Sequence, residues 1–137
     1  MLRTDLQKLS QAKLDDALFL CQAGRYSNAY YLAGYSVELG LKACASRQIF
    51  EHQIPDKAFV NGILTHNFPK LVNLAGLKSK LKKAQDDDRA FSANWAITAE
   101  WSPDARYVMT EATSAKGLLT AVGDPDHGVL KWIKTHW

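Results

Sequence analysis

Arg47 and His52 stand five positions apart in the segment Arg47-Gln48-Ile49-Phe50-Glu51-His52. An arginine fork can hold a phosphate through two parallel hydrogen bonds, and a histidine can take or give a proton near neutral pH. Metal-free RNA cleavage asks for little more than activation of a 2′-hydroxyl and stabilisation of the developing charge. The two residues are therefore candidate catalytic groups, although an Arg and a His at this spacing also arise by chance. A second pair is Glu38 with Lys42, at i and i+4 with the acid N-terminal, the better orientation on a helix. On a surface such a pair adds only about 0.2–0.5 kcal/mol. Here it lies in the most apolar stretch of the chain, which predicts a half-buried Glu38 capping or bridging to another helix. A third constellation is the corner Trp101-Ser102-Pro103-Asp104-Ala105-Arg106-Tyr107. Arg106 and Tyr107 could stack on a base or hold a phosphate. The same residues could lock a connection between helices through cation–π contact and burial, and that is the preferred reading. Lys78, Lys80, Lys82 and Lys83 could touch phosphates, but Asp86, Asp87 and Asp88 follow closely, so a solvated helix face is expected.

Other chemistry has no local signature. The sequence holds no GxGxxG, no GxxxxGK[ST], no HExxH and no CxxC. No two of the four histidines (His52, His66, His127, His136) lie closer than nine positions, so a metal site would have to be assembled by tertiary folding alone. Neither a metal nor a cofactor is expected. Cys21 and Cys44 both sit among apolar residues and read as reduced core thiols rather than a disulfide framework or a nucleophile.

The elements that must position these groups follow from composition and periodicity. The chain has 137 residues, 47% hydrophobic and 23% charged, with a net charge of +3. That is the size and make-up of one globular domain, and too weak a charge to imply nucleic acid by itself. Apolar runs such as Ala17 to Cys21 fall far short of the roughly 20 residues that cross a bilayer. The N-terminus lacks the basic-then-apolar layout of a secretion signal. With reduced cysteines, this predicts a cytoplasmic protein with no membrane partner.

Strand patterns are almost absent, and the fold class expected is all-α, an up-and-down bundle of about five helices in a single domain spanning residues 1–137. Helix one is predicted over about 4–23, with Thr4 and Gln7 as a capping box, a stripe of Leu6, Leu9, Leu14, Ala17, Leu18 and Cys21, and Gly24 as terminator. Helix two is predicted over about 26–49. Its stripe is Tyr26, Ala29, Tyr30, Ala33, Val37, Leu41 and Cys44, and its small residues suit a central position. Gly34 and Gly40 each cost about 1 kcal/mol there, offset by close approach of another helix. Residues 49–67 show no period and read as a long connection. A third helix opens at Asn67-Phe68-Pro69 and ends near Gly76, a fourth runs over about 79–101, and a fifth over about 110–122. A turn at Asp124–Gly128 and a last short helix with Val129, Leu130, Trp132 and Ile133 follow.

The run from Gly24-Arg25-Tyr26-Ser27-Asn28-Ala29 through Glu38-Leu39-Gly40-Leu41-Lys42 resembles the HEPN domain (higher eukaryotes and prokaryotes nucleotide-binding). The family carries Gly-x-Tyr-x-x-Ala and then Glu-x-x-Leu-Lys across its first two long helices. Thr65-His66-Asn67-Phe68-Pro69-Lys70-Leu71 is similar to the family's His-x-Leu-x-x-Leu opening of the next helix, with Phe68 in place of Leu. Trp101 to Tyr107 and Gly128 to Ile133 are similar to the ending of one bacterial branch. The resemblance implies a small helical bundle, commonly a homodimer, associated with nucleotides or RNA. It makes His66, Glu38, Lys42, Arg106 and Tyr107 candidates for ligand or phosphate binding. Family members include metal-free ribonucleases, toxin components and partners of small nucleotidyltransferases. The ribonuclease branch carries R-x4–6-H late in the domain, whereas the match here, Arg47 to His52, falls at the end of helix two. The leading expectation is a homodimeric, non-catalytic HEPN-like module bound to a nucleotide, RNA or a partner. The alternatives are a toxin-type ribonuclease using Arg47 and His52, with an antitoxin partner, and a structural partner of a separate nucleotidyltransferase.

Overall fold

The computed structural model describes residues 1–137 and contains eight α-helices, one 3-10 turn and no strand. Two long helices lead. Helix α1 spans Arg3–Gln22 and α2 spans Tyr26–Ser46. Gly24 ends α1 at φ +77°, a conformation costly for any residue with a side chain. At the other end of α1 the expected Thr4–Gln7 box is replaced by half of one, two residues earlier, where the Asp5 carboxylate accepts from the Leu2 N–H at 3.3 Å.

The apolar stripes decide how the two helices pack. Leu6, Leu14 and Ala17 of α1 and Ala29, Ala33, Val37, Leu41 and Cys44 of α2 are buried. Leu9 and Leu18, expected in the stripe, face solvent. Ser10 and Ser36 cross-link the hairpin within the core. The Ser10 hydroxyl donates to the Ser36 carbonyl at 2.7 Å, and the Ser36 hydroxyl donates to the Ser10 carbonyl at 2.8 Å. Each buried hydroxyl is thereby satisfied.

Six shorter helices wrap this hairpin: α3 Lys57–Ile63, α4 Phe68–Leu74, α5 Lys78–Asp87, α6 Arg89–Ala99, α7 Ala112–Gly123 and α8 Val129–Lys134. The 3-10 turn Pro103–Tyr107 links α6 to α7. Helix α2 touches α1, α4, α7, α8 and this turn, so it is central. Gly40 lets α8 approach, since a Cβ there would stand 2.9 Å from Ile133 Cγ2.

Two departures from expectation turn the six predicted helical stretches, the last short one included, into eight. The stretch expected as one helix over 79–101 breaks at Asp88, whose extended backbone (φ −138°, ψ 102°) starts α6 afresh. Its carboxylate accepts from the Phe91 N–H at 3.1 Å, an N-cap. The connection over 49–67 contains α3, capped by Asp56, which accepts from the Phe59 N–H at 2.7 Å. No residue of α3 is buried. No helix is long and apolar enough to cross a membrane.

Candidate functional site

Glu38 lies in the middle of α2 and is almost wholly buried, at 1% exposure. A lone carboxylate there would be very costly, so its partners matter. Lys42, one turn on, donates to Oε1 at 2.9 Å. His66, just ahead of the Asn67 cap of α4, brings Nδ1 to 2.9 Å from Oε1 and 3.0 Å from Oε2. Glu38 therefore bridges two elements, as its apolar setting suggested, and its burial is more complete than half. The Tyr35 hydroxyl also feels this carboxylate: burial first, then Glu38, then Tyr31 push its pKa above the ordinary phenol value.

Nδ1 is engaged by Glu38, Nε2 has no hydrogen-bond partner, and about half of the His66 side chain is exposed. It opens on a groove of about 490 Å³ lined by Thr65, His66, Asn67 and Phe68 on one side and by Glu100, Trp101 and Ser102 on the other. A histidine fixed by a buried carboxylate is oriented for hydrogen bonding or proton transfer at its free nitrogen. Glu100 at the rim makes the groove mixed rather than basic.

Trp101 forms the groove's inner wall. Its indole stacks on Phe68 (centroids 5.4 Å apart, planes 5° apart) and meets Tyr31 at 6.0 Å, which in turn stacks on Tyr35 at 6.1 Å. Gly34 of α2 is the seat of this ring. A Cβ at that position would fall among the indole atoms Cδ2, Cε2 and Nε1. The expected partner of Gly34 was another helix; it is instead an aromatic ring from the corner before the 3-10 turn. The buried Trp101 Nε1–H has no hydrogen-bond partner. The corner thus divides: Trp101 locks the core, while Arg106 and Tyr107 stay exposed, with the guanidinium carbon 5.0 Å from the Tyr107 ring centre.

Arg47 and His52 are not brought together. Arg47 Nη1 donates to the carbonyl of His136 at 3.1 Å. His52 sits in an exposed turn at φ +66° with Glu51 as its neighbour at 3.5 Å. No hydrogen bond joins the two. The Cys44 thiol is buried in α2, where desolvation pushes its pKa up to about 12 and keeps it from acting as a nucleophile at neutral pH. No group of three or more His, Cys, Asp or Glu side chains is placed to hold a metal ion.

Two groupings escaped the sequence reading. His127 Nδ1 lies 2.7 Å from Asp88 Oδ2, tying the turn before α8 to the start of α6. His136 packs edge-on to Trp132, centroids 5.0 Å apart, beside Arg47. Their residues lie 39 and 89 positions apart, so only the tertiary fold reveals them. Comparison with protein-family models, curated proteins and solved structures finds no match for the chain.

Proposed function

We propose that the chain is a HEPN-like helical module that self-associates and binds a nucleotide or RNA without cutting it. One observation carries the reading. Three of the four segments that resemble the family converge on one place. Gly34, Glu38 and Lys42 come from α2, His66 and Phe68 from the start of α4, and Trp101 and Ser102 from the corner after α6. Nothing in local helix formation requires these distant residues to meet. Their meeting gives each of them a physical role. The glycine admits the indole, the carboxylate fixes the imidazole, and indole and imidazole face one groove.

A non-catalytic reading is supported by the separate engagements of Arg47 and His52. Self-association is supported by the apolar surface from the end of α2 to the start of α4, where Ile49, Phe50, Ile54, Val60 and Leu64 are exposed. Such a surface is typical of a face that another chain covers.

The test is incubation of the purified protein with labelled single-stranded RNA in EDTA, read for both complex formation and cleavage, with light scattering on the same sample. A dimer that retains RNA intact is the expected result. Cleavage lost in both Arg47→Ala and His52→Ala would replace the reading with a ribonuclease. A monomer mass at tens of micromolar protein, with no RNA or nucleotide retained, would overturn it.

A further inference from the structure

Ten residues line the His66 groove, and none of them is a lysine or an arginine. Its volume, about 490 Å³, lies in the range of small-molecule sites. An anion entering it meets no fixed cation. It meets Glu100 instead, an exposed carboxylate at the end of α6 that pairs with no lysine, arginine or histidine. Phosphate is therefore disfavoured here, and a ligand seated against Glu100 must bring hydrogen-bond donors to it.

The polar groups of the facing wall are committed in a way that leaves donors. The Thr65 hydroxyl accepts from the Asn67 N–H at 3.2 Å, so its own proton remains to give. The Asn67 carboxamide spends its oxygen on the Lys70 N–H at 2.9 Å, so its NH2 group remains to give. His66, between them in sequence, is fixed by Glu38. A carboxylate paired with Lys42 only accepts, so the proton in that contact is the one on Nδ1. In the neutral ring Nε2 is then a second acceptor, and the imidazole adds no positive charge. The groove thus sets a carboxylate on one wall against an O–H and an NH2 donor on the other.

We propose that this groove seats a guanine base, with Glu100 accepting from N1–H and the N2 amino group while Thr65 and Asn67 donate toward O6 and N7. Guanine is the common base with two neighbouring N–H donors on its pairing edge. Adenine and cytosine each offer one amino group beside an acceptor, and uracil one N–H between two acceptors. A carboxylate meets the guanine pair through two parallel hydrogen bonds, as it meets a guanidinium fork. The ring also needs apolar surface, and Pro69 and Pro103 supply it at the two walls. The inference rests on the nucleotide or RNA reading above and narrows it: the groove reads a base, and the phosphate of the same nucleotide stays in solvent. Glu100 is the residue to change, because it is exposed and glutamine keeps its shape without its charge.

The experiment has two arms. GMP, IMP, AMP and ribose 5-phosphate are titrated into the protein by two-dimensional NMR, with the Trp101 indole and the His66 ring as reporters. IMP lacks only the N2 amino group of GMP, so the two together isolate the second donor. In the other arm, single-stranded oligoribonucleotides with and without guanine are titrated by fluorescence anisotropy. GMP is expected to bind about tenfold more tightly than IMP or AMP. Ribose 5-phosphate is expected to leave the groove signals in place. Glu100→Gln is expected to weaken GMP binding about tenfold and bring it to the level of IMP, whereas Glu51→Gln, an exposed acid outside the groove, leaves both unchanged. Equal affinity for GMP, IMP and AMP overturns the guanine site, and so does a GMP preference untouched by Glu100→Gln. Ribose 5-phosphate that shifts the groove signals as GMP does overturns it as well. Oligoribonucleotides retained with or without guanine alongside any of these results leave the RNA reading standing alone. A GMP preference without oligoribonucleotide binding upholds the groove and restricts its ligand to free nucleotides. Binding of neither nucleotide nor oligoribonucleotide removes both readings.

Discussion

Replacing Gly34 with alanine adds one methyl group and tests the seat of Trp101 directly. Two opposed effects follow. Alanine favours a helix interior over glycine by about 1 kcal/mol. Against this, the new Cβ falls among the indole atoms, and an ordinary carbon–carbon contact needs about 3.5–4.0 Å. The ring must retreat by roughly an ångström or more. It cannot retreat freely, because Phe68 is stacked 5.4 Å away and Tyr31 stands at 6.0 Å. Overpacking of this kind costs about 1–3 kcal/mol. Complete expulsion of the indole would approach the ~3–5 kcal/mol of a buried tryptophan truncation. Subtracting the helix gain leaves about 0–2 kcal/mol if the ring shifts and about 2–4 kcal/mol if it is expelled, so Gly34→Ala should destabilise the protein by about 2 kcal/mol. In urea, that lowers the unfolding midpoint by about 1 M. Gly117→Ala is the matched control, since nothing lies within 4 Å of a Cβ there; it should gain up to about 1 kcal/mol. A Gly34→Ala protein as stable as the parent would refute the packing argument, and with it the claim that this glycine exists for the indole.

Glu38→Ala removes the buried hub of Lys42 and His66, and should cost about 2–3 kcal/mol by chemical denaturation; a change below about 0.5 kcal/mol would show that the bridge is idle. The Asp88–His127 link gives a pH signature. Asp88 raises the His127 pKa above its ordinary 6.5, so the link stabilises fully below that value and fades as pH rises through the folded pKa. His127 in turn lowers Asp88 below its ordinary 3.8, so the contribution also fades as pH falls through the lowered value. Denaturation midpoints of parent and His127→Gln should therefore differ most between these limits and converge as the pH rises; a constant difference from pH 5 to 9 would refute the link. Cys21 is part-exposed and Cys44 buried with its pKa pushed up to about 12. A thiol reagent at pH 8 should consume one equivalent quickly and the second only on unfolding, and two fast equivalents would contradict the burial.

The long elements were legible because periodicity and punctuation agreed. Helix α1 ends at Gly24 and the third predicted helix at Gly76, both with positive φ, as their positions implied. The α2 stripe was readable because its residues are small and apolar at regular spacing. The break at Asp88 was not, because three successive aspartates read as counter-charges to the lysines before them. Only one of them turns to cap the next helix, and it is the one three residues ahead of Phe91. Helix α3 escaped for a related reason: with no buried residue it has no stripe, and its sole signal was the Pro55-Asp56 start. Within the site, Glu38 and His66 were each legible as unusual polar residues, but their contact spans 28 positions and no pattern encodes it. Arg47 and His52 illustrate the converse, for proximity along the chain did not become proximity in space.

Helix α2 runs unbroken for 21 residues and carries the indole seat, the buried carboxylate and Arg47 on one rod. That continuity sets what kinds of genetic change the protein can survive. Each residue inserted or deleted turns everything beyond it by about 100° and moves it about 1.5 Å along the axis. A single-codon deletion between Glu38 and Lys42 would leave the Trp101 seat untouched while carrying Lys42 out of phase with Glu38 and swinging Arg47 away from the His136 carbonyl. A point substitution leaves that phase intact and disturbs only the contacts of its own side chain. The segment from Gly34 to Arg47, most of it buried, should therefore accept few changes of letter and none of length.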